Sequence, residues 1–252
     1  MKRKKLQSID GDDNHGLDVE YYIDSETGDF KSIYTFNGEV VESVKLRGRL
    51  ADRTSALSLI LRDLQSAKDW YLGALAILDA KGVKSTGLGY RGIQDLDVSS
   101  EVRALFVASV IFYGKAYSEA VGRRLKMERV WLDPSFFDNH DNIIDYRNNF
   151  AAHSGNLKYE SAETSLLIFK QHGRTIFQPV TDRKQLSLFG LDENEGNITD
   201  LYDHAIEVVT KKYNEALIRI RKHVEDKSIS YWYLAAGGTE SVDLDTMNKK
   251  KK

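Results

Sequence analysis

The sequence predicts a mainly α fold, a helical bundle carrying two small β additions. Three observations support this reading. Only two prolines, Pro134 and Pro179, occur in 252 residues, so little interrupts helix formation. Apolar residues recur at spacings of three and four through long stretches, as amphipathic helices require. Two shorter regions are instead rich in β-branched and aromatic residues, with turn formers between them.

Residues 1–15 are charged and polar, a composition that predicts disorder. From 18 to 45 three β-rich runs follow, separated by Ser25-Glu-Thr-Gly28 and Asn37-Gly38. Asn-Gly between such runs is a hairpin signal, and a small β-meander is expected. From Ala51 to Leu78 the period changes. Leu57, Ile60, Leu61, Leu64, Ala67, Tyr71, Ala74, Leu75 and Leu78 form one stripe of a long helix. The glycine-containing stretch 81–97 reads as a loop.

A second helix is expected from the caps Ser99 and Ser100 to about Gly122. Between Ala104 and Tyr113 its apolar residues point in every direction. Such a helix is either wrapped by its own bundle or shared with a second subunit. A connector over 123–137 leads to a short helix capped by Asp138 and ended by Gly155. Residues 164–189 turn β-like again, with turns expected at His172-Gly173 and Thr181-Asp182. A last helix spans 198–225, followed by a tail with the aromatic cluster Tyr231-Trp232-Tyr233. The resulting division is 1–49 (tail and small β region), 50–226 (helical domain with a β insert at 164–189) and 227–252 (tail).

The bulk properties narrow the function classes. Cysteine is absent, which removes disulfides, thiolate zinc sites and cysteine nucleophiles. A net charge of −2 argues against a general nucleic-acid coat, so RNA handling would be local to a cleft or seam. The longest apolar run is too short to span a bilayer. The basic N-terminus is followed by polar residues, unlike a secretory signal, and a cytoplasmic location without membrane attachment is expected. No ligand spacing for a metal and no cofactor fingerprint emerge. Gly87-Leu-Gly-Tyr-Arg-Gly92 matches a dinucleotide pattern in letters, but a helix precedes it where the fingerprint needs a strand.

The chemistry concentrates in Asp145-Tyr-Arg-Asn-Asn-Phe-Ala-Ala-His-Ser154. On a helical wheel at about 100° per residue, Arg147 falls in the middle of the apolar stripe of Ile143, Ile144, Phe150 and Ala151. A guanidinium on a buried face needs anionic or hydrogen-bonding partners. His153 borders the same face. His140 lies two turns before Arg147 on the same face and is a candidate to join it. Histidine is suited to proton transfer near neutral pH, and arginine to charge growing on a phosphate. The combination fits metal-free phosphodiester cleavage. The bland reading is a structural arginine tied to Asp145 or Glu119, with His153 placed by the helix dipole.

Arg147-x(5)-His153, with Asn148 after the arginine and Ala152-His153-Ser154 at the end, resembles the Arg-x(4–6)-His signature of the HEPN superfamily. The lead-in His140-Asp-Asn-Ile-Ile-Asp-Tyr-Arg-Asn and the apolar helix before it add to the likeness, which covers roughly 50–225. The resemblance implies a helical bundle that dimerises, with two motif helices facing one composite cleft. It implies a metal-independent endoribonuclease that leaves 2′,3′-cyclic phosphate ends, of the kind found in toxin–antitoxin, phage-defence or stress systems. His153 would be the acid/base group, Arg147 the phosphate clamp and Asn148 the polar orienter. Asp145, Asn149, Ser154 and His140 are supporting candidates. RNA (tRNA or mRNA) and a second copy are the implied partners, with an antitoxin or defence protein as a further one. The rivals are a non-catalytic HEPN interaction module and a regulatory protein that binds a nucleotide or other anion through Arg147.

Overall fold

The computed structural model describes residues 2–5, 17–81, 96–120, 122–151, 160–172, 174–185, 198–238 and 241–247. In chain order the strands are β1 (Lys2–Lys5), β2 (Leu17–Ile23), β3 (Phe30–Phe36), β4 (Glu39–Val40) and β5 (Leu46–Arg47). Helices α1 (Arg49–Ala80), α2 (Leu96–Ala116) and α3 (Phe137–Tyr146) follow, then β6 (Glu160–Gln171), β7 (Arg174–Gln185) and α4 (Ile198–Glu225). The chain closes with α5 (Ile229–Ala236), β8 (Val242–Asp243) and α6 (Leu244–Met247). The fold is mainly α, as expected. The chain divides into two compact units, one formed by 1–55 with 212–252 and the other by 56–211.

In the first unit β1 to β4 form one antiparallel sheet in sequence order. Asn37 and Gly38, both at positive φ, make the turn that the Asn-Gly pair promised. The disorder expected for 1–15 is corrected at its start: Lys2–Lys5 pair with Asp18–Tyr21, because β2 offers an open edge whose backbone groups need partners. β5 runs parallel to β8. Beside them Asp245 Oδ2 accepts the Arg49 backbone N–H at 3.1 Å, a carboxylate on the first turn of α1. Gly48 just before it has φ of 104°, and a Cβ there would lie 2.8 Å from Asp243 Oδ1, so glycine is required. The aromatic cluster sits on α5, where Trp232 Nε1–H donates to the Val224 carbonyl at 2.9 Å. Tyr233 stays largely exposed.

The second unit is a helical bundle. The stripe Leu57, Ile60, Leu64, Ala67, Tyr71, Ala74 and Leu78 is buried as its spacing predicts. It shares a core with Val102, Phe106, Val110 and Tyr113 of α2, Ile143 and Tyr146 of α3, and Leu201, Tyr202, Ala205 and Val209 of α4. Aromatic rings run through this core: Tyr71 meets Tyr202 edge-on, Phe106 meets Tyr146, and Tyr202 packs on Tyr113. The buried Tyr202 hydroxyl bonds Ser109 Oγ at 2.8 Å, which satisfies both polar groups. Asp63, fully buried, is held by Arg123 and by Lys115 Nζ at 3.2 Å.

Several boundaries differ from expectation. α2 begins at Leu96, so Ser99 and Ser100 lie inside the helix and are not its caps. No breaker lies between 96 and 99, and serine costs little inside a helix. α2 also ends at Ala116 and not near Gly122. The Ala116 carbonyl accepts Met127 N–H at 2.9 Å, so a chain reversal takes the acceptor that another helical turn would use. One face of α2 is buried, but Ala104 and Ile111 are exposed. The chain therefore does not wrap the helix on all sides. In the connector, Asp133 caps the 3₁₀ turn Pro134–Phe136 through Ser135 N–H. Asp138 lies in the first turn of α3, and its cap position is Phe136. Here the dipole preference for an early carboxylate resembled a cap.

β6 and β7, twelve residues each, pair as a hairpin up to Gln171 and Arg174, with His172 at positive φ where the turn was expected, and Gly173 lies outside the described residues. The turn expected at Thr181-Asp182 is absent. Thr181 pairs with Thr164, their hydroxyls 3.0 Å apart, and Asp182 pairs with Glu163. The cross-strand ladder overrides the weak turn preference of Asp. The ladder runs unbroken through Leu166 and Pro179. Proline has no N–H, so this position is one whose donor would point away from β6. α4 matches its predicted span. The end expected at Gly155 and the glycine-rich segment 87–92 lie outside the described residues. No helix among the described residues is long and apolar enough to cross a membrane.

Candidate active site

The motif begins at the end of α3. The regular helix stops at Tyr146, and Arg147–Ala151 form a π-helical turn. Such turns insert a residue into the helical register and recur at functional sites. Tyr146 anchors the turn in the core, fully buried and edge-on to Phe106. Arg147, next along, is half-buried. Its alkyl chain lies across α2 at Gly114, where a Cβ would come within 2.6 Å of Arg147 Cδ and 3.0 Å of Nε. The guanidinium therefore reaches its position only because residue 114 has no side chain.

Arg147 opens into a cavity of about 530 Å³. Its lining includes Tyr117, Lys126, Glu128, Arg129, His140 and Asn148. Three of the lining residues are cationic, and two of these are neutralised. Lys126 donates to Glu119 at 2.9 Å. Arg129 holds Asp141 with two bonds of 2.8 and 2.7 Å and stacks on Phe137. Arg129's hydrogen bond keeps the Asp141 carboxyl below the usual range. Arg147 donates to Asn148 Oδ1 at 2.9 Å and pairs with no carboxylate among the described residues. The structural tie considered for Arg147 is thus not formed. Glu119 belongs to Lys126, and Asp145 accepts from Asn149 Nδ2.

His140 reaches the same cavity from α3. It is 5% exposed, and its Nδ1 lies 2.9 Å from the Tyr113 hydroxyl. Tyr113 in turn donates to the Tyr117 hydroxyl at 3.2 Å. With its proton directed there, the Tyr113 oxygen accepts from His140 Nδ1–H. That tautomer leaves Nε2 as an acceptor. Burial, opposed by Asp141 and reinforced by Arg129, lowers the imidazole pKa to about 4. The ring is neutral near pH 7, and with so low a pKa it is a weak base, better suited to hold a hydrogen bond than to take a proton. Burial also raises the Tyr113 and Tyr117 hydroxyls above their ordinary value, so both stay protonated.

The structure thus brings together Arg147, Asn148 and His140, with Asp145 and Asn149 paired on the same turn. His153 and Ser154 lie outside the described residues. No group of three His, Asp or Glu side chains suited to a metal ion occurs among the described residues. Sequence reasoning missed Gly114, Tyr113 and Tyr117. One signal was present: a glycine inside a strongly apolar helix costs about 1 kcal/mol against alanine, which marks a close approach. No protein-family model matches the chain, and neither a curated protein nor a solved structure does.

Proposed function

We propose that this chain is a metal-independent endoribonuclease of the HEPN type, acting as a homodimer on RNA. The observation that carries the reading is Arg147, a half-buried residue whose guanidinium lines a cavity and makes no ion pair among the described residues, not even with Glu128 of the same lining, beside two cations that each have one. An anion is the partner missing from this arrangement, and a bridging phosphate fits a planar, permanently charged fork. The HEPN assignment itself rests on the sequence likeness around Arg147 and His153.

In the proposed reaction the RNA 2′-oxygen attacks the adjacent phosphorus and the bond to the 5′-oxygen breaks. A base removes the 2′-hydroxyl proton, and an acid supplies one to the departing 5′-oxygen. The products are a 2′,3′-cyclic phosphate and a 5′-hydroxyl. Arg147 stabilises the charge that grows on the non-bridging oxygens, and Asn148 orients the guanidinium. His153 serves as an acid/base group, and neutral His140 is placed to support it. The biological setting we infer is cytoplasmic defence, toxin–antitoxin or stress response, with tRNA or mRNA as target and an antitoxin or defence protein as regulator.

Cleavage of total RNA and tRNA in EDTA tests the proposal, comparing the wild type with Arg147→Ala and His153→Ala. Metal-independent cutting with cyclic-phosphate ends, lost in both variants, is expected. A folded protein that cuts none of these RNAs would defeat the reading. Tight nucleotide or phosphate binding unchanged by His153→Ala would favour the anion-binding regulator.

A further inference from the structure

The β6–β7 hairpin leaves an apolar surface uncovered. Leu166, Leu167, Ile168, Phe169 and Phe177 are all more than 40% exposed. A lone two-stranded hairpin is marginal in water, and this one exposes apolar residues on both faces. The register separates those faces. One carries, from tip to base, the cross-strand pairs Gln171/Arg174, Phe169/Ile176, Leu167/Gln178, Ser165/Val180 and Glu163/Asp182. The other carries Ile168/Phe177 and Leu166/Pro179, with Thr164 and Thr181 hydrogen-bonded at 3.0 Å.

The first face has an unusual charge layout. Glu163 and Asp182 stand directly opposite each other, a like-charge pair that disfavours the ladder. Neither has an ion-pair partner among the described residues, and neither does Arg174 at the far end of the same face. Turned end for end over itself, this face matches itself. The dyad falls on Leu167/Gln178, midway between Arg174 and Asp182 and midway between Gln171 and Glu163. Leu167 then meets Leu167 of the second copy. Phe169 and Ile176 lie over the smaller Ser165 and Val180, and Arg174 lies over the Glu163/Asp182 pair. Large side chains meet small ones and a cation meets two carboxylates, at both ends at once. An isologous two-fold contact requires this self-complementarity.

We propose that this chain dimerises through the Glu163/Asp182 face of its hairpin, packed antiparallel against the same face of a second copy. The inference does not depend on RNA cleavage and is read without a nuclease assay. The test is sedimentation and light scattering of the full-length protein over a range of concentrations. Wild type is expected to be a dimer. Arg174→Glu and Asp182→Arg, each still folded by circular dichroism, are each expected to self-associate at least about tenfold more weakly. An equimolar mixture of the two variants is expected to recover the dimer, since each supplies the charge the other lacks. The chain has no cysteine, so single cysteines give a second readout. Leu167→Cys should join two chains through a short bis-maleimide, whereas Leu166→Cys, on the opposite face, should not. A monomeric wild type, variants that dimerise undiminished, or equal cross-linking at 166 and 167 would each overturn the proposal.

Discussion

Arg147 crosses α2 at Gly114, so closely that a methyl group at residue 114 would stand 2.6 Å from Arg147 Cδ. The relationship links a helix-interior glycine to the charge that defines the site. Gly114→Ala must displace the middle of the arginine chain, because Cδ is not a free end. The helix itself gains up to about 1 kcal/mol from the alanine. If the chain cleaves RNA as proposed, the expected result is a melting temperature within a few degrees of wild type together with a loss of cleavage of at least about tenfold, a misplacement effect. Wild-type turnover by Gly114→Ala would show that the crossing does not position the guanidinium.

Arg147→Lys keeps the positive charge but loses the planar fork. If the fork grips a phosphate, cleavage should fall by about 1–3 kcal/mol of transition-state stabilisation. Single-turnover rates at saturating RNA measure this, and a lysine variant equal to wild type would point to simple charge attraction.

His140 ties stability to pH. Its folded pKa of about 4 lies below the ordinary 6.5, so the unfolded chain binds the proton more readily. The contribution to stability is complete above about pH 6.5 and is lost as the pH falls towards 4. Allowing for the ring edge that meets solvent, the loss is on the order of 2 kcal/mol. Urea unfolding at pH 7 and pH 4.5 should show that slope, and His140→Asn should flatten it.

Asp63 is fully buried and receives Arg123 and Lys115. Arg123→Met should cost about 3–5 kcal/mol, because it removes the buried partner and leaves the carboxylate short of compensation. Thermal unfolding checks this. A joint Asp63→Leu and Arg123→Met change should cost clearly less than Arg123→Met alone.

At the start of α1, Asp245→Ala removes the carboxylate that accepts the Arg49 N–H. A loss of about 1 kcal/mol is expected. Gly48→Ala should cost more, since it meets both a positive φ and Asp243 Oδ1 at 2.8 Å. Chemical denaturation of the two variants ranks these effects.

Much of the helical frame was legible in the sequence, because Leu57 to Leu78 and Leu201 to Val209 keep one period and bury one face. The Asn37-Gly38 turn and the reversal at His172 were legible from backbone chemistry. Thr181-Asp182 misled, since turn preference is local and its outcome was decided by Thr164 and Glu163 across the strand. Arg147 was legible as an arginine on an apolar stripe. The cavity was not. It depends on which cations find carboxylates, Lys126 with Glu119 and Arg129 with Asp141, and pairing across a turn leaves no periodic mark. The wheel also assumes about 100° per residue, which fails from Arg147 onward, where the helix widens.

Pro179 has a further consequence, concerning how far an assembly can grow. A hairpin with two open edges is a template for indefinite addition, the route to fibres. At Pro179 the outward donor of β7 is missing, so an incoming strand on that side finds a gap in the ladder. The ribbon is blunted along one rim. Such an asymmetry favours finite, countable complexes over filaments, and Pro179→Val is the change that would remove this guard.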